Sequence, residues 1–260
     1  MNKIHSTAII SSKADISDDV EIGPYCIIEE NVRINKNSKL ISHVTITGDT
    51  KIGKNNTFYP FSSIGSIPQD LKYKGEKSSL EIGDNNIFRE HVTINIGTSG
   101  GGMKTNIGNN CLFMVGSHIA HDCNISNNVV LANNATLAGH VIVGNNAIIG
   151  GLSAIHQFVR IGEYCMIGGM SGVEQDIIPY GLYIGVRSNL KGINIIGLKR
   201  KGLNSNKISL IKKFYISIFD KNETIMNNIN KLDKSDIEEI NEIINFISQK
   251  SSRGICTPLK

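Results

Sequence analysis

An apolar residue returns at every sixth position over most of the chain. Stepping by six from Ile4 gives Ile10, Ile16, Ile22, Ile28, Ile34, Leu40, Ile46, Ile52, Phe58 and Ile64 without an exception. The step resumes in phase at Ile82, Phe88 and Ile94 and slips by one residue. It then runs from Ile107 through Phe113, Ile119, Ile125, Leu131, Leu137, Val143, Ile149, Ile155, Ile161 and Ile167 to Val173, so that 26 hexads are readable. A period of six suits neither a helix of 3.6 residues per turn nor an isolated hairpin. It suits short parallel strands that turn a corner every six residues with the aliphatic pointing inward. Three such sides make an 18-residue coil. The hexads leave the hand of the coil open, and the general crossover preference favours a right-handed one.

The rest of the composition agrees. With 26 Gly, no Trp and only 5 Pro, and with Ile and Asn in excess, the chain is built for many short turns. Small residues follow the aliphatic in Ile22-Gly23, Ile52-Gly53, Ile107-Gly108 and Ile161-Gly162, and Asn pairs such as Asn133-Asn134 and Asn145-Asn146 come just after. These are expected to supply the left-handed backbone of the corners. Cys26, Cys111, Cys123 and Cys165 each lie two residues before an aliphatic, where Ala8, Ala14, Ala135, Ala147 and Ser153 also sit, and read as small interior fillers. They form no CxxC pair, so disulfides and a cysteine zinc site are not expected. No apolar run approaches the roughly 20 residues that cross a bilayer, and Met1-Asn2-Lys3-Ile4-His5 lacks the apolar core of a leader, so a cytoplasmic protein is expected.

The frame is broken at about 66–79 and 97–106, by Gln69-Asp70-Leu71-Lys72-Tyr73-Lys74-Gly75-Glu76 and by an excursion around Gly100-Gly101-Gly102. A solenoid interior needs no such loops, which makes them candidates for function. Residues 1–187 are the expected solenoid and 188–260 a helical domain. In the latter, Ile208, Ile211, Tyr215 and Ile218 form one helical stripe and Ile237, Ile240, Ile244 and Ile247 another, with Ser235-Asp236-Ile237-Glu238 as a capping box. The solenoid carries 14 Lys/Arg against 16 Asp/Glu and the tail 13 against 7. From Lys191 to Lys213 there are seven basic residues and no acidic one, which favours an anionic partner. Neither nucleic acid nor a membrane span is expected.

Hexad arithmetic also sorts the polar residues by corner. His121, Gly139 and Gln157 each lie two places after an aliphatic and 18 apart, so they stack on one corner of successive coils. A histidine beside an exposed glycine amide supplies a base for a hydroxyl and a donor for a tetrahedral oxyanion, and Asp122 is placed to orient the imidazole. Four of the seven histidines, His118, His121, His140 and His156, fall within 39 residues. Turn decoration and a zinc site are the alternatives; the Asp that follows His121 and the long loops argue for a larger ligand than zinc.

The segments His118-Ile119-Ala120-His121-Asp122-Cys123, Asn133-Asn134-Ala135-Thr136-Leu137-Ala138-Gly139-His140, Ile155-His156-Gln157-Phe158, Gly197-Leu198-Lys199-Arg200 and Gln69-Asp70-Leu71-Lys72-Tyr73 closely resemble the UDP-N-acetylglucosamine O-acyltransferases. The resemblance spans nearly the whole chain. It implies an all-β fold, a left-handed parallel β-helix of hexapeptide repeats with a small C-terminal α-helical domain. It implies transfer of an (R)-3-hydroxyacyl group from acyl carrier protein to the glucosamine 3-hydroxyl of the UDP-sugar, the first step of lipid A synthesis. Neither a metal nor a free cofactor is implied. The same resemblance implies a homotrimer with active sites between subunits.

Residue by residue, the resemblance makes His121 the general base, Asp122 its partner and the Gly139 amide the oxyanion donor. Gln69, Asp70, Lys72, His118 and His140 would line the sugar and thioester site, and His156, Gln157, Asn194 and Arg200 the uridine diphosphate end. Ile196, Lys201 and Arg187 depart from the family pattern and put contacts at that end in doubt, since Lys cannot copy a bidentate guanidinium. Gly169 is implied to set acyl length. It lies 48 residues past His121, about 2.7 coils or roughly 13 Å at about 4.8 Å per coil, which suits ten or eleven carbons. Its alternative role is a turn glycine stacked over Gly151 that needs positive φ. Two other readings are an N-acyltransferase of the same pathway, which would carry a separate N-terminal uridine domain, and a non-catalytic scaffold, which would lack the inserted loops.

Overall fold

The computed structural model describes residues 3–220, 223–231 and 235–259; Met1 and Asn2, which open the segment read as lacking a leader core, lie outside them. All 26 hexads are strands, from Lys3–Ile4 to Gly172–Val173. Each strand pairs in parallel with the third one along the chain, as Glu21–Ile22 does with Lys39–Leu40, and the result is three sheets of eleven, nine and eight strands. The aliphatics of the three sides meet on the coil axis, where Ile22, Ile28, Ile34, Leu40 and Ile46 are buried. Each such burial contributes roughly 1.5–3 kcal/mol. Phe58, Phe88 and Phe113 stack inside at 4.6 and 5.0 Å, one per coil.

The corners bear out the Asn pairs, whose Asn134 and Asn146 are left-handed (φ 57 and 59°), but not the glycines. The glycine after the aliphatic does not take the left-handed conformation; that falls two residues later, at Tyr25, Asn31, Asn37, His43 and their successors (φ 52–66°). Gly23 is needed for a different reason, since a Cβ there would lie 1.8 Å from the carbonyl oxygen of Ile41 in the next coil. The left-handed slot therefore accepts Asn, His, Tyr, Phe, Leu, Met and Asp alike, at a cost of about 1–2 kcal/mol for most side chains. Cys26, Cys111, Cys123 and Cys165 are buried interior residues. The thiols of Cys123 and Cys165 donate to Ala138 O and Ile178 O at 3.2 and 3.0 Å, and burial pushes both up to about 12. Asn56 and Asn86 share the same slot, with Asn56 Oδ1 accepting Asn86 N at 3.0 Å and Asn86 Oδ1 accepting Cys111 N at 2.8 Å.

The two insertions leave the prism intact. Thr57 pairs with Ile87 and Ile87 with Leu112, steps of 30 and 25 residues where a plain coil takes 18. The first loop runs between Ser63–Ser66 and Ser79–Ile82, the second between Thr93–Asn95 and Lys104–Ile107. The second excursion is thus shorter than the expected 97–106, because Lys104, Thr105 and Asn106 pair with Ser79, Leu80 and Glu81.

After the last hexad strand, Gly181–Ile184 joins the Met166–Ile167 strand in parallel and Asn189–Ile193 folds back on it antiparallel. Four helices follow: α1 (Ile195–Arg200), α2 (Ser205–Ile218), α3 (Ile225–Asn230) and α4 (Glu238–Ser248). Helix α2 buries its expected stripe together with Phe214. Helix α4 buries Ile240, Ile243 and Ile247, with Ile244 only partly covered. The expected capping box does not form, because α4 opens after Ile237. The Ser235 hydroxyl instead accepts Ile237 N at 3.1 Å, and Asn241 Nδ2 donates to Ser235 O at 2.7 Å. No helix among the described residues is long and apolar enough to cross a membrane.

Candidate active site

The strand His118–Ile119 pairs with Thr136–Leu137, which pairs with Ala154–Ile155. Ile119, Leu137 and Ile155 point inward, so the residues two places on, His121, Gly139 and Gln157, stack on one corner as their spacing implied. His140 N donates to His121 O at 3.0 Å and Phe158 N to Gly139 O at 3.1 Å. Asp122, His140 and Phe158 fill the left-handed slots of the three coils, with φ of 58, 63 and 65°.

His121 Nδ1 lies 2.8 Å from Asp122 Oδ2, and their side chains are 12% and 0% exposed. The histidine is therefore on a corner but enclosed, where hexad spacing alone placed it at the surface. Its cover is the inserted loops. Thr98 N donates to both Asp122 oxygens at 2.9 and 3.1 Å, the Thr98 hydroxyl donates to Oδ2, and Asp122 N donates to Thr105 Oγ1 at 2.8 Å. A Cβ on Gly101 would fall 2.0 Å from Asp122 Cγ, so the second loop reaches the carboxylate only as glycine. From the first loop, Asp70 Oδ2 lies 3.9 Å from His121 Nε2, while Asp70 Oδ1 accepts Lys72 N at 2.9 Å.

The Gly139 amide is buried, not exposed as expected. Gly139 packs against the imidazole, where a Cβ would fall 2.6 Å from Cε1 and 2.7 Å from Nε2 of His121. Its N–H donates to no other group among the described residues. His140 packs edge-on to His121 at 5.0 Å and flat against Phe158 at 4.3 Å. His118 Nδ1 lies 2.7 Å from Thr93 Oγ1. Burial holds His140 and His118 below the usual histidine range, with His121 adding to the effect on His118, so both are neutral imidazoles at neutral pH. His121, Asp122 and His140 bring ligand atoms within 4.8 Å of one another, as a zinc reading requires. Asp122 Oδ2, however, already takes His121 Nδ1 and the Thr98 hydroxyl.

Of the uridine-end residues, His156 and Gln157 share the corner of this cluster, while Asn194 and Arg200 are not brought to it within one chain. His156 and Gln157 are exposed on the same corner, and Arg253 Nε donates to Gln157 O at 2.7 Å. Asn194 and Arg200 line a separate pocket of about 520 Å³ on another side of the prism, with Val130, Tyr164, Met166 and Ile196. The Asn194 side chain is engaged locally, accepting Gly197 N at 3.0 Å as the cap of α1 and donating to Tyr164 O at 2.8 Å. Gln69 and Lys72 are exposed in the first loop. Lys201 does not face the pocket. Its ammonium lies 3.2, 3.6 and 3.8 Å from Glu239, Glu242 and Glu163 and donates to the Tyr180 hydroxyl at 2.8 Å. Replacement of Arg by Lys at this position therefore bears on docking of the tail and not on the pocket. The other six basic residues between Lys191 and Lys213 are exposed, as is Arg187. Gly169 is exposed and its φ is not positive; the left-handed residue is Met170, so the turn-glycine role does not apply.

Sequence reasoning quoted Gly101 and Glu76 in the loops without giving them a role, and passed over Thr98 on the second loop, Thr105 on the strand that follows it, and the half-buried Glu163–Tyr180–Lys201–Glu239–Glu242 cluster. The only signal for the first set was the break in the hexad frame; the cluster joins residues up to 79 apart that no period links.

Residues 176–256 match the family described as Udp N-acetylglucosamine O-acyltransferase, domain 2, and residues 104–139 match the bacterial transferase hexapeptide repeat. A protein of Rickettsia canadensis named acyl-[acyl-carrier-protein]–UDP-N-acetylglucosamine O-acyltransferase is 56% identical over 98% of this chain and 97% of its own. One of the same name from Thermodesulfovibrio yellowstonii is 50% identical over 98% and 100%. Among solved structures, LpxA from Acinetobacter baumannii superposes with a TM-score of 0.93 at 45% identity, covering 97% of this chain and 99% of that one. The UDP-N-acetylglucosamine acyltransferase of Campylobacter jejuni gives 0.92 at 37%, over 99% and 100%. Such full-length identity, on a fold that seats an enclosed histidine–carboxylate pair against a glycine of the next coil, places the chain in the UDP-N-acetylglucosamine O-acyltransferase family, as a left-handed parallel β-helix with a helical tail.

Proposed function

We propose that this acyltransferase moves an (R)-3-hydroxyacyl group from acyl carrier protein to the 3-hydroxyl of UDP-N-acetylglucosamine, the first step of lipid A synthesis, with His121 as general base. One observation carries the assignment of the base: His121 is hydrogen bonded through Nδ1 to a fully buried carboxylate and its ring packs against Gly139, the glycine of the next coil. The Asp122 carboxylate keeps the proton on Nδ1 and leaves a lone pair on Nε2. Nε2 takes the proton of the acceptor hydroxyl as its oxygen attacks the thioester carbonyl. Asp122 stabilises the imidazolium, and the Gly139 N–H donates to the oxyanion. Collapse expels the thiolate of the carrier's phosphopantetheine arm, which recovers the proton from Nε2. Asp70, Lys72 and Gln69 frame the sugar, and neutral His118 and His140 serve as hydrogen-bond partners beside the base.

The Asn194 and Arg200 pocket, on a different side of the prism from His121, supports a homotrimer in which one subunit offers the base and its neighbour the nucleotide pocket. No resident metal or cofactor is assigned, and the protein acts in the cytoplasm. Purified protein incubated with UDP-N-acetylglucosamine and a series of 3-hydroxyacyl carrier proteins should yield a UDP-sugar heavier by one hydroxyacyl group, by mass spectrometry, with or without a chelator. No product, or a product only with added zinc, contradicts the assignment.

A further inference from the structure

Asp122 Oδ2 receives three donors, His121 Nδ1, Thr98 N and the Thr98 hydroxyl, and two of the three come from one residue on an inserted loop. Thr98 is itself fixed, its carbonyl accepting Gly101 N and Met103 N at 3.1 and 3.0 Å. The next residue joins the other loop, with Ser99 N donating to Glu76 Oε1 at 2.9 Å while Glu76 Oε2 accepts Lys74 N at 2.8 Å. Tyr73 completes the path, its hydroxyl donating to Glu76 O at 3.3 Å and its N–H to Asp70 O at 3.0 Å. A continuous run of hydrogen bonds thus leads from Asp70, beside His121 Nε2, around both loops and back to His121 Nδ1 through Asp122. The amides of Ser99 and Lys74 hold the Glu76 carboxyl down to about 2, so this joint stays ionised at any working pH.

We infer that Thr98 is a positioning residue for the acyl transfer, aiming the Asp122–His121 pair, and that Glu76 couples it to the loop that carries Asp70. This inference rests on the assignment of His121 as base. Removing the hydroxyl takes one of the two loop donors from Asp122 Oδ2 and leaves the carboxylate held on the loop side by the Thr98 amide alone, so the pair is less tightly aimed; misplacing a base by about 1 Å costs on the order of 100-fold in rate.

The test uses the full-length enzyme with saturating acyl carrier protein donor. Thr98→Val should lower kcat about 10- to 100-fold, with the acceptor KM within about twofold and the melting temperature lower by only several degrees, and Thr98→Ser should restore most of the rate. In a His121→Ala background, Thr98→Val should change the residual rate by less than about twofold, since a residue that acts through His121 has nothing left to aim. Multiplicative losses in the double variant, or a kcat for Thr98→Val near wild type, overturn the inference while leaving the base in place. Near-normal activity of His121→Ala alone would show that the base assignment had failed instead. Should Thr98→Val not fold, Glu76→Ala takes its place, with kcat reduced roughly 3- to 10-fold and KM steady; an unchanged kcat there overturns the coupling.

Discussion

Gly139→Ala places one methyl group between the two parts of the site. The added carbon would sit 2.6 Å from His121 Cε1 and 2.7 Å from Nε2, where ordinary contact begins near 3.4 Å, so the imidazole must move by about 1 Å. The backbone does not oppose the substitution, because Gly139 has no positive φ. The ring is what must yield, and Asp122 holds it at 2.8 Å. A displacement of that size costs on the order of 100-fold in kcat. The fold should lose little. A strained or broken hydrogen bond to a charged group costs about 1.5–3 kcal/mol, and replacing Gly by Ala returns about 0.4–1 kcal/mol through the unfolded chain. The net loss of about 1–2 kcal/mol corresponds to a drop of a few degrees in melting temperature for a chain of this length. The assay is the initial rate at saturating donor and acceptor, alongside thermal denaturation. A kcat within about threefold of wild type in the folded variant would refute the stacked His121–Gly139 geometry as the working one.

A Cβ at Gly169 would meet the Gly151 backbone alone, O at 3.2 Å and N at 3.8 Å, so Gly169→Met should fold with a small local shift; it should shift preference to shorter 3-hydroxyacyl donors, each excluded methylene costing about 0.8 kcal/mol, and an equal slowing of all donors would remove its role as a ruler. Lys212 and Lys213 are exposed on α2 and face no described acid within ion-pair range, so reversing both to Glu should raise the donor KM, as should added salt, with the acceptor KM constant. A donor KM indifferent to both would exclude docking of the acidic carrier there. Glu242 is held above the usual carboxylate range by burial first, with Glu163 adding to it and Tyr180 and Lys201 opposing. A raised folded value means that its stabilising contribution is complete below about 4.5 and is lost as pH rises through the raised value, so the melting temperature of Glu242→Gln relative to wild type should rise as pH is taken from about 4 to 7. A constant difference would contradict the half-buried environment assigned to Glu242.

The prism was legible because its cause is periodic. One aliphatic per six residues, with a glycine where the next coil's carbonyl passes, can be counted, and counting also stacked His121 on Gly139. The left-handed slot was legible at the Asn pairs, in Asn134 and Asn146, but was wrongly extended to the glycines, because it also tolerates Tyr, Phe and Met and so leaves little trace in composition. Enclosure of His121 was illegible for another reason. Thr98 and Asp122 are 24 residues apart across an aperiodic loop, and only the folded loop shows that a glycine lets it press on the carboxylate. Lys201 reads as a nucleotide contact by its neighbour Arg200, yet the turn that ends α1 sends it to the acids of α4. Helix ends redirect side chains in ways a linear motif does not record.

The most direct test of the account is the transfer rate of His121→Ala, measured by mass spectrometry of the acylated UDP-sugar with the fold checked by circular dichroism. Loss of a general base predicts a fall of roughly 10²–10⁴ in kcat with an unchanged spectrum; a folded variant that retains more than about a tenth of wild-type kcat would contradict it.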